Sequence, residues 1–181
     1  LGNVVNPFEL VKKYGTDAVR YYLLREITPT EDGDFTYEKF EQRYNSDLAG
    51  GIGNLVARTL GLAKGISNFK FPIFNKISNS KLKKLIKQTE KSYKLQVTSF
   101  KFNEALASVW EIIGFCDKYI NEEKLWETKD EKVINDLFFS IKEIGILLEP
   151  FLPQTAEKIK LAVETKQSPN LFPKLNVDRH A

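Results

Sequence analysis

Three side chains have the type and spacing expected of a binding site. Asn54 and Arg58 are four residues apart in a segment with helical periodicity, so they project from one face of a helix. An amide beside a guanidinium offers several hydrogen-bond donors and one acceptor, which suits nucleic-acid base edges or phosphates. Trp126 follows an amphipathic segment, and its ring can stack on an unpaired base. The alternatives are an exposed polar stripe and a tryptophan folded back over the ends of the helices.

Residues with catalytic chemistry are scarce. The only histidine is His180 and the only cysteine is Cys116, which excludes histidine triads, histidine metal clusters and an internal disulfide. The glycines at 50, 51 and 53 do not follow a predicted strand, and no Lys-Ser/Thr pair follows them, so they are not a phosphate-binding loop. We therefore expect no catalytic residue, metal ligand or cofactor in this chain, and predict a binding or structural module.

Charge is distributed unevenly along the 181 residues, although the net charge is only +3. Residues 51–104 contain 11 basic and 2 acidic side chains, whereas the segments on either side each have a net charge of −3. A basic block of this kind attracts a polyanion and accelerates the encounter with it. The alternative is a lysine-rich helix whose charged face is simply solvated.

Hydrophobic periodicity predicts an all-α protein. A break is expected at 28–35, a restart or kink at 45–46, a loop at 65–79 and a polar tail from Ser168 onward. The predicted helices cover residues 7–14, 16–26, 36–44, 45–62, 80–98, 103–123, 130–148 and 154–163.

Two of these helices have a continuous apolar stripe that predicts the core. The first stripe includes Trp110, which we expect to be buried, and its other members are Leu106, Val109, Ile113 and Ile120. The second stripe consists of Val133, Leu137, Ile141, Ile144 and Leu148.

Four glycines lie inside the predicted helical segment that ends near residue 62. Each costs roughly 1 kcal/mol relative to alanine in a helix, so a compensating reason is needed. Close approach of the backbone of another helix is the expected reason, and close approach of a ligand is the alternative. The residues concerned are Gly50, Gly51, Gly53 and Gly61.

LGNVVNPFEL (1–10) and KYGTDAVRYYLLRE (13–26) are the first of several distinctive segments that follow one another along nearly the whole chain. Together these segments resemble the methionyl-tRNA synthetase family of class I, and the first two resemble the stretch just after that family's ATP-binding lysine-serine loop. Other class I synthetases, such as those for leucine and valine, share parts of these two segments, but the Asp-Gly-Asp-Phe block at 32–35 favours the methionine enzyme. The remaining segments are EDGDFT (31–36), RYNSDLA (43–49), FNEAL (102–106), LLEPFLP (147–153) and TAE (155–157).

The resemblance implies the anticodon-binding helical bundle of class I aminoacyl-tRNA synthetases, preceded by a short α-rich stem-contact segment. Residues 1–45 would be the end of the catalytic region and the stem-contact segment, 46–165 the bundle, and 166–181 a C-terminal tail. In this family an Asn, an Arg and a Trp read the CAU anticodon, and the matching residues are Asn54, Arg58 and Trp126. Leu125 stands where the family often has proline before that tryptophan.

The implied function is recognition of the tRNA(Met) anticodon stem-loop by part of a cytoplasmic, ATP-dependent methionine–tRNA ligase. The parent's own catalytic domain would be a second partner, and ATP with Mg²⁺, and zinc in many members, would be bound upstream. A chain that begins at Leu1 and contains no methionine is expected to be a piece of a longer protein and inactive alone.

No membrane partner is expected, because no apolar run approaches the roughly 18 residues of a membrane span. Two alternative functions stay open. The chain could be the anticodon-binding domain of another class I synthetase, or a helical interaction module that never contacts RNA.

Overall fold

The structure, a computed structural model, describes residues 5–27, 35–66 and 77–176, and in these ranges the chain is helical with short connections. The all-α prediction is confirmed, and each predicted helix after residue 79 matches an observed one to within two residues. The break at 28–35 and the loop at 65–79 lie largely outside the described residues, as does His180. The helices are α1 Pro7–Tyr14, α2 Thr16–Glu26, α3 Tyr37–Arg43, α4 Asn54–Lys64, α5 Ser80–Thr98, α6 Phe102–Glu122, α7 Leu125–Thr128, α8 Glu131–Leu148 and α9 Pro153–Thr165, with a π-helical segment, Tyr44–Gly53, between α3 and α4.

Two long amphipathic helices, α6 and α8, supply much of the core. Every residue of the predicted α8 stripe is buried, and so is the predicted α6 stripe apart from Trp110, which is only partly buried. The Trp110 ring packs on Tyr21, with ring centroids 4.5 Å apart, and its indole N–H donates to the Asp47 carbonyl at 3.3 Å. Trp110 therefore packs against the core as predicted, but it is not fully buried. Its indole N–H links α6 to the π segment.

A buried carboxylate holds the N-terminal helices on the bundle. Asp17, in the first turn of α2, accepts hydrogen bonds from the backbone N–H and the hydroxyl of Thr155 at 2.6 and 2.7 Å. Arg20 donates to the carbonyls of Pro150 and Phe151, just before α9. The first N–H groups of a helix have no partner within it, so Asp17 satisfies a donor at the start of α9 and fixes α2 against it.

A second buried carboxylate fixes the start of α5. Asp136, in α8, accepts from the backbone N–H and hydroxyl of Ser78, both at 2.7 Å, and from the backbone N–H of Asn79 at 2.9 Å. The Asn79 side chain in turn caps α5 by accepting from the N–H groups of Lys81 and Leu82. The first turn of α5 is therefore tied to the first half of α8.

The π-helical segment replaces the restart predicted at 45–46, because the helix continues without a break. A Cβ atom added at Gly50 would lie 2.9 Å from the Asn45 carbonyl oxygen, and one at Gly53 would lie 2.9 Å from that of Leu48. Each carbonyl is five residues earlier in the same segment. These two glycines therefore accommodate the geometry of their own π-helix, which is a rare arrangement often found at functional sites.

The other two glycines differ from that pair. A Cβ at Gly51 would approach the Trp110 indole nitrogen at 3.4 Å, whereas one at Gly61 would meet nothing within 4 Å. The prediction that another helix backbone approaches these positions is therefore wrong for Gly50, Gly53 and Gly61. At Gly51 the neighbour does come from another helix, but it is a side chain.

We expect Gly53→Ala to destabilise the protein by about 1–3 kcal/mol, because the new methyl group overlaps a backbone carbonyl that cannot move freely. Gly61→Ala is the matched control and should stabilise by roughly 0.5–1 kcal/mol, since it adds a helix-favouring residue in open space. Urea denaturation of both variants measures the difference. Equal effects of the two substitutions would contradict the crowding seen at Gly53.

We expect Asp17→Ala to cost about 1–3 kcal/mol, because it leaves the buried N–H and hydroxyl of Thr155 without an acceptor. Hydrogen exchange should accelerate most in α2 and in the first turn of α9. Asp130→Ala, which removes only a local cap of α8, is the control and should accelerate exchange at the start of α8. Unchanged protection in α2 would show that Asp17 does not hold the two parts together.

Candidate nucleic-acid interface

Arg58 is held by two side chains of a neighbouring helix. It lies in the second turn of α4, and its guanidinium donates to Asp117 Oδ1 at 2.5 Å and to Asn121 Oδ1 at 2.8 Å. Both acceptors belong to the last turns of α6. Because a guanidinium is a rigid planar fork with five donors, two contacts fix its plane and leave three donors for a ligand.

Trp126 lies on the four-residue helix α7, between α6 and α8. Its side chain is 49% exposed, while the preceding Leu125 is fully buried. Left-handed residues, Lys124 with φ 43° and Lys129 with φ 48°, flank the short helix on both sides. The indole N–H donates to the Glu127 carboxylate at 3.2 Å. A buried leucine thus anchors the segment, and the neighbouring indole remains accessible for stacking.

Arg58 and Trp126 lie at the same end of the bundle. Asn121 accepts from Arg58 with its side chain, and its backbone carbonyl accepts from the N–H of Lys124, two residues before Trp126. The chain thus passes from the partner of Arg58 to the indole within five residues. We call this end, formed by Arg58 and residues 121–129, the rim.

Asn54 lies one turn before Arg58 on α4 and is partly buried. It borders a cavity of about 620 Å³ between the π segment and residues 169–174. No hydrogen bond among the described residues joins Asn54 to Arg58 or Trp126. The structure therefore brings Arg58 and Trp126 to one rim and places Asn54 beside it, facing a different set of residues.

The region that was predicted to be a polar tail docks on the π segment. Leu171 and Phe172 are buried, and the Phe172 ring meets Tyr44 edge-to-face with centroids 5.8 Å apart. The Asn45 carboxamide accepts from the N–H of Leu175 at 2.8 Å and donates to its carbonyl at 3.0 Å. Sequence reasoning missed this contact, and the adjacent apolar pair Leu171-Phe172 was the available signal.

The lysines of α5 form an exposed basic surface that begins near the rim. None of them makes an ion pair with a described residue, whereas Lys13, Lys101 and Lys118 each pair with a glutamate. Because Asp136 ties the start of α5 to α8, the first of these lysines lie at the end of the bundle that contains Trp126. The six exposed residues are Lys81, Lys83, Lys84, Lys87, Lys91 and Lys94.

Three further features of the described residues bear on reactivity and membrane contact: the Cys116 thiol, possible metal ligands and the length of apolar helices. Burial raises the pKa of the Cys116 thiol to about 12, so it is protonated and unreactive near neutral pH. Among the described residues, no three His, Cys, Asp or Glu side chains converge as metal ligands. None of the described helices is both long and apolar enough to cross a membrane.

Two family models match successive parts of the chain. Residues 1–60 match the model described as tRNA synthetases class I (M), and residues 75–176, more than half of the chain, match the anticodon-binding domain of tRNA ligase. The second match includes the docked segment that contains Leu171 and Phe172, and the first ends just after Arg58.

Curated proteins and solved structures agree with these matches. The methionine–tRNA ligase of Fusobacterium nucleatum is 37% identical over 168 residues, covering 87% of this chain and 26% of that protein. The methionine–tRNA ligase of Thermotoga maritima is 34% identical over 179 residues, covering 94% of this chain and 28% of that protein. The chain thus spans about a quarter of the length of these relatives.

The fold is shared with a solved structure at lower sequence identity. The free-state methionyl-tRNA synthetase of Mycobacterium tuberculosis superposes with a TM-score of 0.80 and 22% identity, covering 97% of this chain and 42% of that one. Taken with the two family models, the chain belongs to the methionyl-tRNA synthetase family of class I, and its larger part is the anticodon-binding domain of a tRNA ligase.

Proposed function

We propose that this chain recognises the anticodon stem-loop of tRNA(Met) as the RNA-binding part of a methionyl-tRNA synthetase. The complete enzyme would join methionine to tRNA in the cytoplasm with ATP and Mg²⁺ bound upstream of these residues. The observation that carries the proposal is that a half-exposed indole, Trp126, and the tethered guanidinium of Arg58 lie at the same end of the bundle.

In this proposal the rim reads bases that are splayed out of the anticodon loop. Trp126 stacks on one unpaired base, which we assign to the first anticodon cytosine, and Arg58 donates to a neighbouring base edge. Asn54 contributes its amide from the adjacent turn of α4. Proteins commonly read single-stranded RNA in this way, by aromatic stacking and by hydrogen bonds to exposed base edges.

The contacts that Arg58 makes with α6 support a preorganised site. A free arginine loses considerable side-chain entropy when it binds, and this loss weakens binding. Asp117 and Asn121 already hold the guanidinium plane, so less entropy would be lost when RNA binds. Asp117 also balances the positive charge of Arg58 before RNA binds.

The unpaired lysines of α5 support attraction of a polyanion such as RNA. Lysines that make no internal ion pair keep their full charge available to phosphates, and they release counterions when RNA binds. These residues would raise the association rate and hold the RNA backbone, without themselves selecting the anticodon.

The segment before the bundle would support the link to the parent's catalytic domain, the second proposed partner. Asp17 and Arg20 bind the start of α9 and the turn before it, so that α2 cannot swing independently of the bundle. A rigid connection of this kind would fix the distance between a catalytic domain and the anticodon that the rim reads.

We expect Trp126→Ala to weaken binding of a hairpin with a CAU anticodon by about 5-fold to 150-fold, the equivalent of about 1–3 kcal/mol of stacking. The affinity for a hairpin with a changed anticodon should fall much less. Phe100→Ala, which removes a 69% exposed aromatic ring in the turn between α5 and α6, is the matched control and should leave both affinities unchanged. Fluorescence anisotropy measures the affinity of each of the two variants for each of the two hairpins, relative to the wild type.

Equal weakening of both hairpins by Trp126→Ala would argue against base reading. Wild-type preference for a leucine or valine anticodon would overturn the proposal that tRNA(Met) is the partner. Failure of the wild type to retain any tRNA at low salt would instead favour a helical module that binds no RNA.

We expect the double variant Lys87→Ala/Lys91→Ala to weaken both hairpins similarly and to lower the salt dependence of log K by up to about one unit for each lysine. Lys158→Ala/Lys160→Ala on α9 removes the same charge elsewhere and serves as the control. Titrations across a range of salt concentrations provide the slopes. If log K depended equally on salt concentration in the two double variants, the lysines of α5 would not be contacting phosphates.

A further inference from the structure

The cavity beside Asn54 is large enough to hold a nucleotide and lies next to the rim. Its volume of about 620 Å³ is within the usual range of small-molecule sites. The π segment and α4 form one side, including Gly50, Gly53 and Asn54, and the docked segment 169–174 forms the other. Asn54 and Arg58 are four residues apart, about 6 Å along the helix axis, so one RNA strand can reach both.

The chemistry of this cavity suits an anionic, hydrogen-bonding ligand. No carboxylate lines it among the described residues. Its polar groups are the amides of Asn54 and Asn170 and the ammonium group of Lys174, while the Asn45 amide in its lining is already bonded to Leu175. Lys174 is exposed and makes no ion pair with a described residue. The groove between α8 and α9 differs, because three glutamates line it: Glu149, Glu157 and Glu164.

The wall that contains Lys174 is held firmly in place. Leu175, the next residue, has both its backbone N–H and its carbonyl bonded to the Asn45 side chain. Two residues before Lys174, the Phe172 ring is buried against Tyr44. The backbone of Lys174 is therefore fixed on both sides, and its side chain is the part that stays free to adjust to a ligand.

The geometry points to the docked segment 169–175 as the second wall of the RNA-binding site. Lys174 binds a backbone phosphate, and Asn54 and Asn170 bond the same nucleotide, which lies next to the bases held at the rim. This inference rests on the proposed function and extends it to the docked segment, which lies outside the rim. The contact made by Lys174 is to the backbone, so it should add affinity without adding anticodon preference.

The test is Lys174→Ala in the full 181-residue chain, measured with the CAU hairpin and a changed-anticodon hairpin at several salt concentrations. Both hairpins should bind about fivefold to tenfold more weakly, as expected for the loss of one hydrogen-bonded contact. The salt dependence of log K should fall by about 0.7–1. Lys174→Arg should restore most of the affinity. Lys158→Ala, which makes the same charge change on α9, should change neither the affinity nor the salt dependence.

A second variant tests the wall itself. Asn45→Ala removes both hydrogen bonds that hold Leu175, so it should reproduce the loss of affinity while circular dichroism shows the helices intact. Ultraviolet crosslinking of the wild-type complex should yield RNA attached to peptides that contain residues 169–175.

The outcomes separate this inference from the proposed function. If the wild type prefers the CAU hairpin but Lys174→Ala behaves like Lys158→Ala, the inference is overturned and the proposed function stands. If the wild type binds both hairpins equally and still depends on Lys174, the backbone contact stands and anticodon reading fails. If the wild type binds neither hairpin, both are overturned.

Discussion

The arrangement of this protein depends on two buried carboxylates that satisfy backbone donors belonging to distant parts of the chain. Asp17 binds the start of α9 and Asp136 binds the segment that leads into α5. A buried carboxylate is costly unless it is hydrogen-bonded, and helix-start N–H groups are costly unless they have acceptors. Asp136 and Oδ2 of Asp17 meet both requirements by accepting from these donors, whereas Oδ1 of Asp17 is buried with no partner among the described residues. The two contacts define relative positions that apolar packing alone would leave adjustable. They place the lysines of α5 near the rim and the N-terminal helices against α9.

Local features of the sequence predict the helices well, because periodicity and capping act over a few residues. The α8 stripe from Val133 to Leu148 is buried as its spacing predicts, and α5 begins where Asn79 can cap it. The same reasoning fails at residues 44–53, because helix propensity counts each glycine there only as a loss of helix stability. Whether a carbonyl five residues earlier crowds Gly53 depends on a π-helical geometry that propensity does not encode.

Contacts between residues far apart in the sequence could not be predicted, and these contacts determine how most side chains of the candidate site are positioned. The spacing of Asn54 and Arg58 correctly places them on one helix, but the acceptors of Arg58 lie 59 and 63 residues further along the chain. Asn45 suggests a helix restart, whereas its carboxamide binds Leu175, 130 residues away. An amide can satisfy a backbone N–H and carbonyl at any sequence separation, so its local context does not reveal its partner.

The local geometry around Trp126 favours a binding role over a passive surface position. A four-residue helix is not stable in isolation, and a left-handed non-glycine residue costs about 1–2 kcal/mol, yet α7 has one on each side. Burial of Leu125 offsets part of that cost, while the neighbouring Trp126 is left half exposed. Left-handed residues also follow α5 and α9, at Phe100 and Lys166, so this conformation alone marks only the end of a helix. At α7 two such residues enclose a single turn and fix the direction of the indole. Arg58 follows the same pattern, since Asp117 and Asn121 restrain a side chain that would otherwise move freely in solvent.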